Sequence, residues 1–137
     1  MINDDLDKVT NAIVDLFDTS LSDVILALEN QPSQQEPINS VWCRFVNRPN
    51  TKGQTTLGIT PVFEQLGLST LQIFVPLGMG EALGYDVAET VDATMRKWTS
   101  SDKRMRVYST EYRSIPATQK SPYFQINYTM YWRSKQS

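Results

Sequence analysis

The chain has no histidine and a single cysteine, Cys43, in 137 residues. Without imidazole it has no Ser-His-Asp or Cys-His arrangement, no side chain whose ordinary pKa lies near neutrality, and no nitrogen ligand for zinc. One thiol makes neither an intrachain disulfide nor a structural zinc site, so the fold does not lean on an oxidising compartment. No apolar run approaches the ~20 residues that span a bilayer, and no basic region followed by an apolar segment marks a secretory signal. These absences predict a soluble cytosolic protein with no membrane contact, and they leave the metal and cofactor sets empty.

What is present describes an ordinary globular protein. Hydrophobic residues make up 40% of the chain and charged residues 20%, with three Trp, six Tyr and five Phe. A chain of this length supports one core, so residues 1–137 are read as a single domain with a radius of gyration of about 14 Å. The net charge of −2 gives the whole molecule no electrostatic reason to seek nucleic acid. That average hides a polarity: residues 1–69 carry four basic and nine acidic side chains, and residues 70–137 carry nine and six. Basic residues concentrate at Arg96, Lys97, Lys103, Arg104 and Arg106, acids at Asp4, Asp5, Asp7, Asp15, Asp18 and Asp23. Complementarity between identical subunits would explain the division, and so would two solvated faces that serve solubility.

Hydrophobic periodicity predicts a first helix carrying Ile2, Leu6, Val9, Ile13, Leu16 and Phe17, ending near Asp18, with Asn3, Asp4 and Asp5 placed to cap its start. The run Val24 to Leu28 suits a strand or a last helical turn, and the Pro-containing stretch Glu29 to Asn39 a surface loop. A strand is expected over Ser40 to Val46. The polar, aperiodic stretch after it predicts a long exposed loop at about 47–57. Residues 59 to 75 read as two extended pieces separated at Gly67, a bulge or bend, with Pro61 opening the first at a sheet edge. Pro76 to Gly80 leads into a second helix at about 81–98, with Gly84, Ala88, Val91, Met95 and Trp98 on one stripe and Asp92 and Arg96 as an i,i+4 pair. Strands around Met105 to Tyr112 and from Tyr123 to Arg133 complete the chain, the last presenting Phe124, Ile126, Tyr128, Met130 and Trp132 on one face. The order implies an α+β fold: a mainly antiparallel sheet of four to five strands with two helices packed on one face.

No constellation of residues carries catalytic chemistry. Asp86 and Glu89 share a helix face but lack apolar surroundings that would shift a pKa. Asp4, Asp5 and Asp7 lack the Gly and terminal Glu of a calcium loop. Gly78-Met79-Gly80 lacks the third glycine of a dinucleotide fingerprint and the Lys-Ser/Thr of a phosphate loop. Cys43 reads as a small buried hydrophobe. Tyr123, Tyr128, Tyr131, Trp132 and Arg133 could stack single-stranded nucleic acid, but pairing within a sheet accounts for them more cheaply. Surface remains rather than chemistry.

Over residues 24 to 133 the pattern resembles a known family. The succession Ala27-Leu-Glu-Asn30, Trp42-Cys-Arg-Phe45, Leu57-Gly58, Gly67, Leu71-Gln-Ile-Phe-Val-Pro76 with Gly78 and Gly80, an acidic-to-basic helix, and a terminal Tyr131-Trp-Arg133 is similar to the tail terminator, or tail-completion, proteins of long-tailed bacteriophages. The resemblance implies a virion structural protein, assembled in the host cytoplasm and not an enzyme. Such a protein closes as a ring, typically a hexamer, on the end of the tail tube, stops its polymerisation and offers the docking surface for the head and neck. Its partners would be further copies of itself and the tube, neck or connector, and sheath proteins, with phage DNA passing through the lumen without sequence-specific binding. The acidic N-terminal half could line that lumen. A neck or head-tail joining protein of the same fold is the near alternative, and a small α+β ligand-binding domain or enzyme the distant one. Exposure and charge nominate Arg48, Lys52 and Gln54 in the expected loop, with Lys103, Arg104 and Arg106, as contacts to a neighbouring subunit or the tube.

Overall fold

The computed structural model describes residues 2–28, 40–54, 63–78, 80, 82–115 and 123–136. The chain runs α1 (Ile2–Ser20), β1 (Ile25–Leu28), β2 (Trp42–Gln54), β3 (Phe63–Pro76), α2 (Ala82–Met95), β4 (Met105–Ile115) and β5 (Tyr123–Gln136). The strands form one five-stranded sheet in the order β1-β2-β3-β5-β4, antiparallel throughout except for the parallel β1–β2 pair. This is the expected α+β architecture.

Each strand offers alternate residues to the two faces of the sheet, and the apolar set falls on one of them. Cys43 and Phe45 of β2, Leu71, Ile73 and Val75 of β3, Ile126, Tyr128, Met130 and Trp132 of β5, and Met105 and Val107 of β4 join Val9, Ile13, Leu16 and Phe17 of α1 and Val87, Ala88, Val91 and Met95 of α2 in one buried cluster. Both helices therefore lie on the same face. Each fully buried aliphatic chain in that layer contributes about 1.5–3 kcal/mol of transfer free energy.

Two glycines set how closely the layers approach. Gly84 brings α2 onto the sheet: a Cβ there would stand 2.7 Å from both Ile126 Cδ1 and Val75 Cγ2. Gly67 lies directly opposite Trp132 in the β3–β5 register, and a Cβ there would collide with the indole. The missing side chain is thus the seat of the largest fully buried residue, the arrangement by which an aromatic ring covers a strand glycine.

Four sequence expectations change. The exposed loop at about 47–57 is, through Gln54, the second half of β2 paired with β3, while 55–57 lie outside the described residues. Pro49, Asn50 and Gly53 are strand breakers by composition, but a register shift between Pro49 and Lys52 absorbs the proline and the ladder resumes beyond it. Gly67 does not divide β3, which is continuous, and the irregularity sits across the ladder in β2. Asp92 does not pair with Arg96. Its carboxylate turns to the sheet and accepts hydrogen bonds from Thr110 (2.9 Å) and Tyr128 (2.9 Å). Asn3, Asp4 and Asp5 lie inside the first turn of α1 rather than ahead of it, and Asp5 is buried. Pro61, the Glu29 to Asn39 stretch and the β4–β5 connection lie outside the described residues.

Gly67→Ala is expected to lower stability by about 1–3 kcal/mol, because the indole of Trp132 must leave its rotamer or β3 must move away from β5. Urea unfolding of the variant should show a lower midpoint at unchanged slope.

Candidate functional site

Groups with chemical potential are quiet in the fold. Burial pushes the Cys43 thiol far above its ordinary pKa, so it stays protonated and inert. Asp86 and Glu89 are exposed on α2. Among the described residues no group of three or more His, Cys, Asp or Glu side chains could hold a metal ion, and no helix is long and apolar enough to cross a membrane. Gly78 and Gly80 have φ of 91° and 86°, so they serve the turn from β3 into α2. A groove between the end of α1 and α2 is lined by Leu21, Val24, Leu83 and Val87 with Asp23 and Asp86.

The basic cluster at Lys103, Arg104 and Arg106 hangs on a tight turn organised by Asp102. Its carboxylate accepts from Lys8 Nζ (2.6 Å), Ser100 Oγ (2.6 Å) and the Arg104 backbone N–H (3.1 Å). These bonds hold its pKa well below the usual carboxylate range, the Lys8 bond contributing most. Lys103 takes a left-handed φ of 61° to close the turn, and Arg104 Nε donates to the Lys135 carbonyl at 3.1 Å. Arg106 projects from the first positions of β4, directly opposite Arg133 of β5. Arg48 lies on the same sheet face but on β2, three strand spacings away, about 14 Å. Lys52 pairs with Gln65 and Gln54 with Phe63 beyond the β2 irregularity. The six nominated residues are therefore two groups at opposite sides of the sheet, not one patch.

Larger than either group is the sheet face on which Arg48 and Arg106 stand. Alternation places Arg44 and Arg48 of β2, Arg106 and Arg113 of β4, and Arg133 and Lys135 of β5 on the sheet face away from the helices, against Glu64 and Glu111 among the described strand residues. Among the described residues no helix covers this face. Its middle is a polar ladder in which the Thr70 and Thr129 hydroxyls meet at 3.2 Å. One end carries an aromatic group, with Trp42 stacked on Phe74 at 4.3 Å, Tyr123 edge-on to both, and the Arg44 guanidinium over the first two. At the other end the Arg133 guanidinium lies 4.6 Å from the ring centre of Tyr108, which the β4 irregularity leaves exposed. The helix layer is predominantly of the opposite sign, with Asp7, Asp15, Asp18, Asp23, Asp86 and Glu89 exposed against Arg96 and Lys97 in the turn that ends α2. Arg44, Arg113, Arg133 and Lys135 were missed as members of this face, although the i,i+4 spacing of Arg44 with Arg48 and the i,i+2 spacing of Arg133 with Lys135 carry the signal.

The family of phage tail terminator proteins matches residues 8–132, nearly the whole chain. The chain belongs to the phage tail terminator family. It is thus a structural component of phage tails, in a family known for architecture rather than catalysis. No curated protein matches the sequence. A solved structure superposes with a TM-score of 0.54 over 93% of this chain and 96% of its own, at 17% identity, a level that speaks for the fold alone. In this chain the fold presents two broad faces of mainly opposite charge among the described residues.

One interior group offers a pH test. Burial, reinforced by the hydrogen bond to Asp92, pushes the Tyr128 phenol well above its ordinary value of about 10. Its contribution to stability is fully present below that value and is lost as pH rises above it, since only the unfolded state then releases the proton readily. Tyr128→Phe should cost about 1 kcal/mol at neutral pH and flatten the alkaline fall in stability, as measured by urea unfolding between pH 8 and 11.

Proposed function

We propose that this protein is the ring that caps a finished tail tube, closing as a homo-oligomer, six subunits by the family resemblance, and presenting the docking surface for the head through its neck. The observation that carries this reading is the pairing of family membership with a subunit that has two extended, oppositely charged faces. A ring of identical subunits needs a heterologous contact, one surface on each copy meeting a different surface on the next, and closure rather than chemistry then limits growth. Once the tube end is covered, no equivalent template is left for another layer of tube protein. Residues 1–137 act as one domain in this scheme, with no catalysis and no cofactor. The virion is its destination after assembly in the host cytoplasm. Partners are the tube protein, a neck or connector protein and the sheath, with DNA passing through without sequence-specific binding. Among the nominated contacts, Arg106 and Arg48 stand on the open face, and Lys103 is exposed at its rim. Arg104 is in part committed to its own subunit through Lys135.

Light scattering of the purified chain should give a mass of several times the 15.6 kDa subunit, and negative stain of the chain, alone and with tail tube protein, should show annular particles. Tube protein polymerised with the ring present should give shorter tubes than tube protein alone. A stable monomer in both conditions would sink the terminator role.

A further inference from the structure

Neither charged face is explained by the stability of a lone subunit. Arg106 and Arg133 stand directly opposite each other on β4 and β5, where like charges destabilise a strand pair. Asp18 occupies the last turn of α1, which holds no basic residue, so its charge opposes the helix dipole. The open face also carries three buried polar side-chain atoms with no hydrogen-bond partner: Trp42 Nε1, Gln72 Oε1 and Arg133 Nε. Trp42 is only 4% exposed, so water does not readily serve it. Two of the three atoms are donors, and what they lack is an acceptor.

We infer that the basic open face of the sheet is the seat for the acidic helix layer of a second copy of this chain, so that each subunit inserts its helices against the next subunit's sheet around the ring. The inference rests on the ring reading and adds to it which surfaces meet. Sign complementarity selects the pairing: the sheet face presents Arg44, Arg106, Arg113 and Arg133, and the helix layer presents Asp15, Asp18, Asp86 and Glu89. Exposed ion pairs add little affinity one by one, but an array of them fixes orientation and excludes wrong partners. Apolar anchors come from Tyr108, 44% exposed beside Arg133, and from Leu83, 39% exposed at the groove on the helix layer. Tyr and Arg are the residue types that most often dominate interface energies. A duplex is the competing occupant of a basic face. Were that face turned to a passage for DNA it would hold the phosphates by counterion release and oppose transit, whereas burial between subunits hides it.

The test is a charge swap. Arg106→Glu with Arg113→Glu reverses the sheet face at two exposed positions, and Asp15→Lys with Asp18→Lys reverses the helix layer while favouring the α1 dipole. Circular dichroism and thermal unfolding establish that both double variants fold. Each variant alone, with or without tail tube protein, should need at least about tenfold more protein to assemble than the wild type, while an equimolar mixture should restore annular particles. The wild type should lose assembly as salt rises. Folded variants that assemble like the wild type, or that fail both alone and mixed, overturn the pairing of these two faces even where the wild type forms rings. A wild type that forms no rings overturns the ring reading and the pairing with it. Wild-type binding of a 30-base-pair duplex in fluorescence anisotropy, lost in the Arg106→Glu, Arg113→Glu variant whose assembly is intact, reassigns the face to nucleic acid.

Discussion

The contact between Trp132 and Gly67 is the constraint from which most of the sheet follows. The indole occupies the space where a β3 side chain would be, and its Nε1 donates to Ser69 Oγ at 3.0 Å. Ser69 donates in turn to Asn47 Oδ1, and Asn47 Nδ2 donates to Thr10 Oγ1 at 2.9 Å. Four elements, β5, β3, β2 and α1, are thereby tied through one polar chain, buried at its Trp132–Ser69 end and part-buried beyond it, in which each member's position depends on the next. A slip of one residue in the β3–β5 register would place a side chain under the indole and turn the apolar face of β5 outward. Length alone did not demand such precision. The central β3–β5 ladder pairs every residue from Phe63 to Pro76, and a ladder that long multiplies the cost of any error.

Much of this was legible in the sequence, and the part that was not has a common cause. The alternation of Phe124 to Trp132 and of Leu71 to Val75 marks the core face, and the Gly84, Ala88, Val91, Met95 stripe marks how α2 lies on it; these signals are local and apolar. The second half of β2 was hidden because Pro49, Asn50 and Gly53 vote locally for a loop, while the vote for a strand comes from β3 across the ladder. Asp92 was misread for the same reason. An i,i+4 partner is visible in sequence, whereas Thr110 and Tyr128 lie 18 and 36 residues away. Local propensity lost wherever a long-range partner offered more.

The charge pattern shows the converse. Division of the chain into an acidic first half and a basic second half is a projection along the sequence of a separation that exists in space. It survives projection because α1 comes early and β4 and β5 come late, but Arg44 and Arg48 sit in the acidic half and belong to the basic face, and Asp86 and Glu89 sit in the basic half and belong to the acidic layer. Nominating contacts by sequence clustering therefore joined Lys103 and Arg104, which share a turn, and missed Arg113 and Arg133, which share a face.

A sheet whose second face carries no helix among the described residues must do something with that face, and a basic, threonine-laddered surface is a costly way merely to meet water. Lysine and glutamate mixed in equal numbers would keep it soluble without setting Arg106 against Arg133. Arginine, by contrast, is poorly hydrated, planar and able to bind carboxylates through two bonds at once. Five of the six basic residues on this face are arginine. That choice fits a surface that must be desolvated against carboxylates and held at a fixed angle, which a closed ring demands of every one of its contacts, since an angular error at one interface is repeated at all of them.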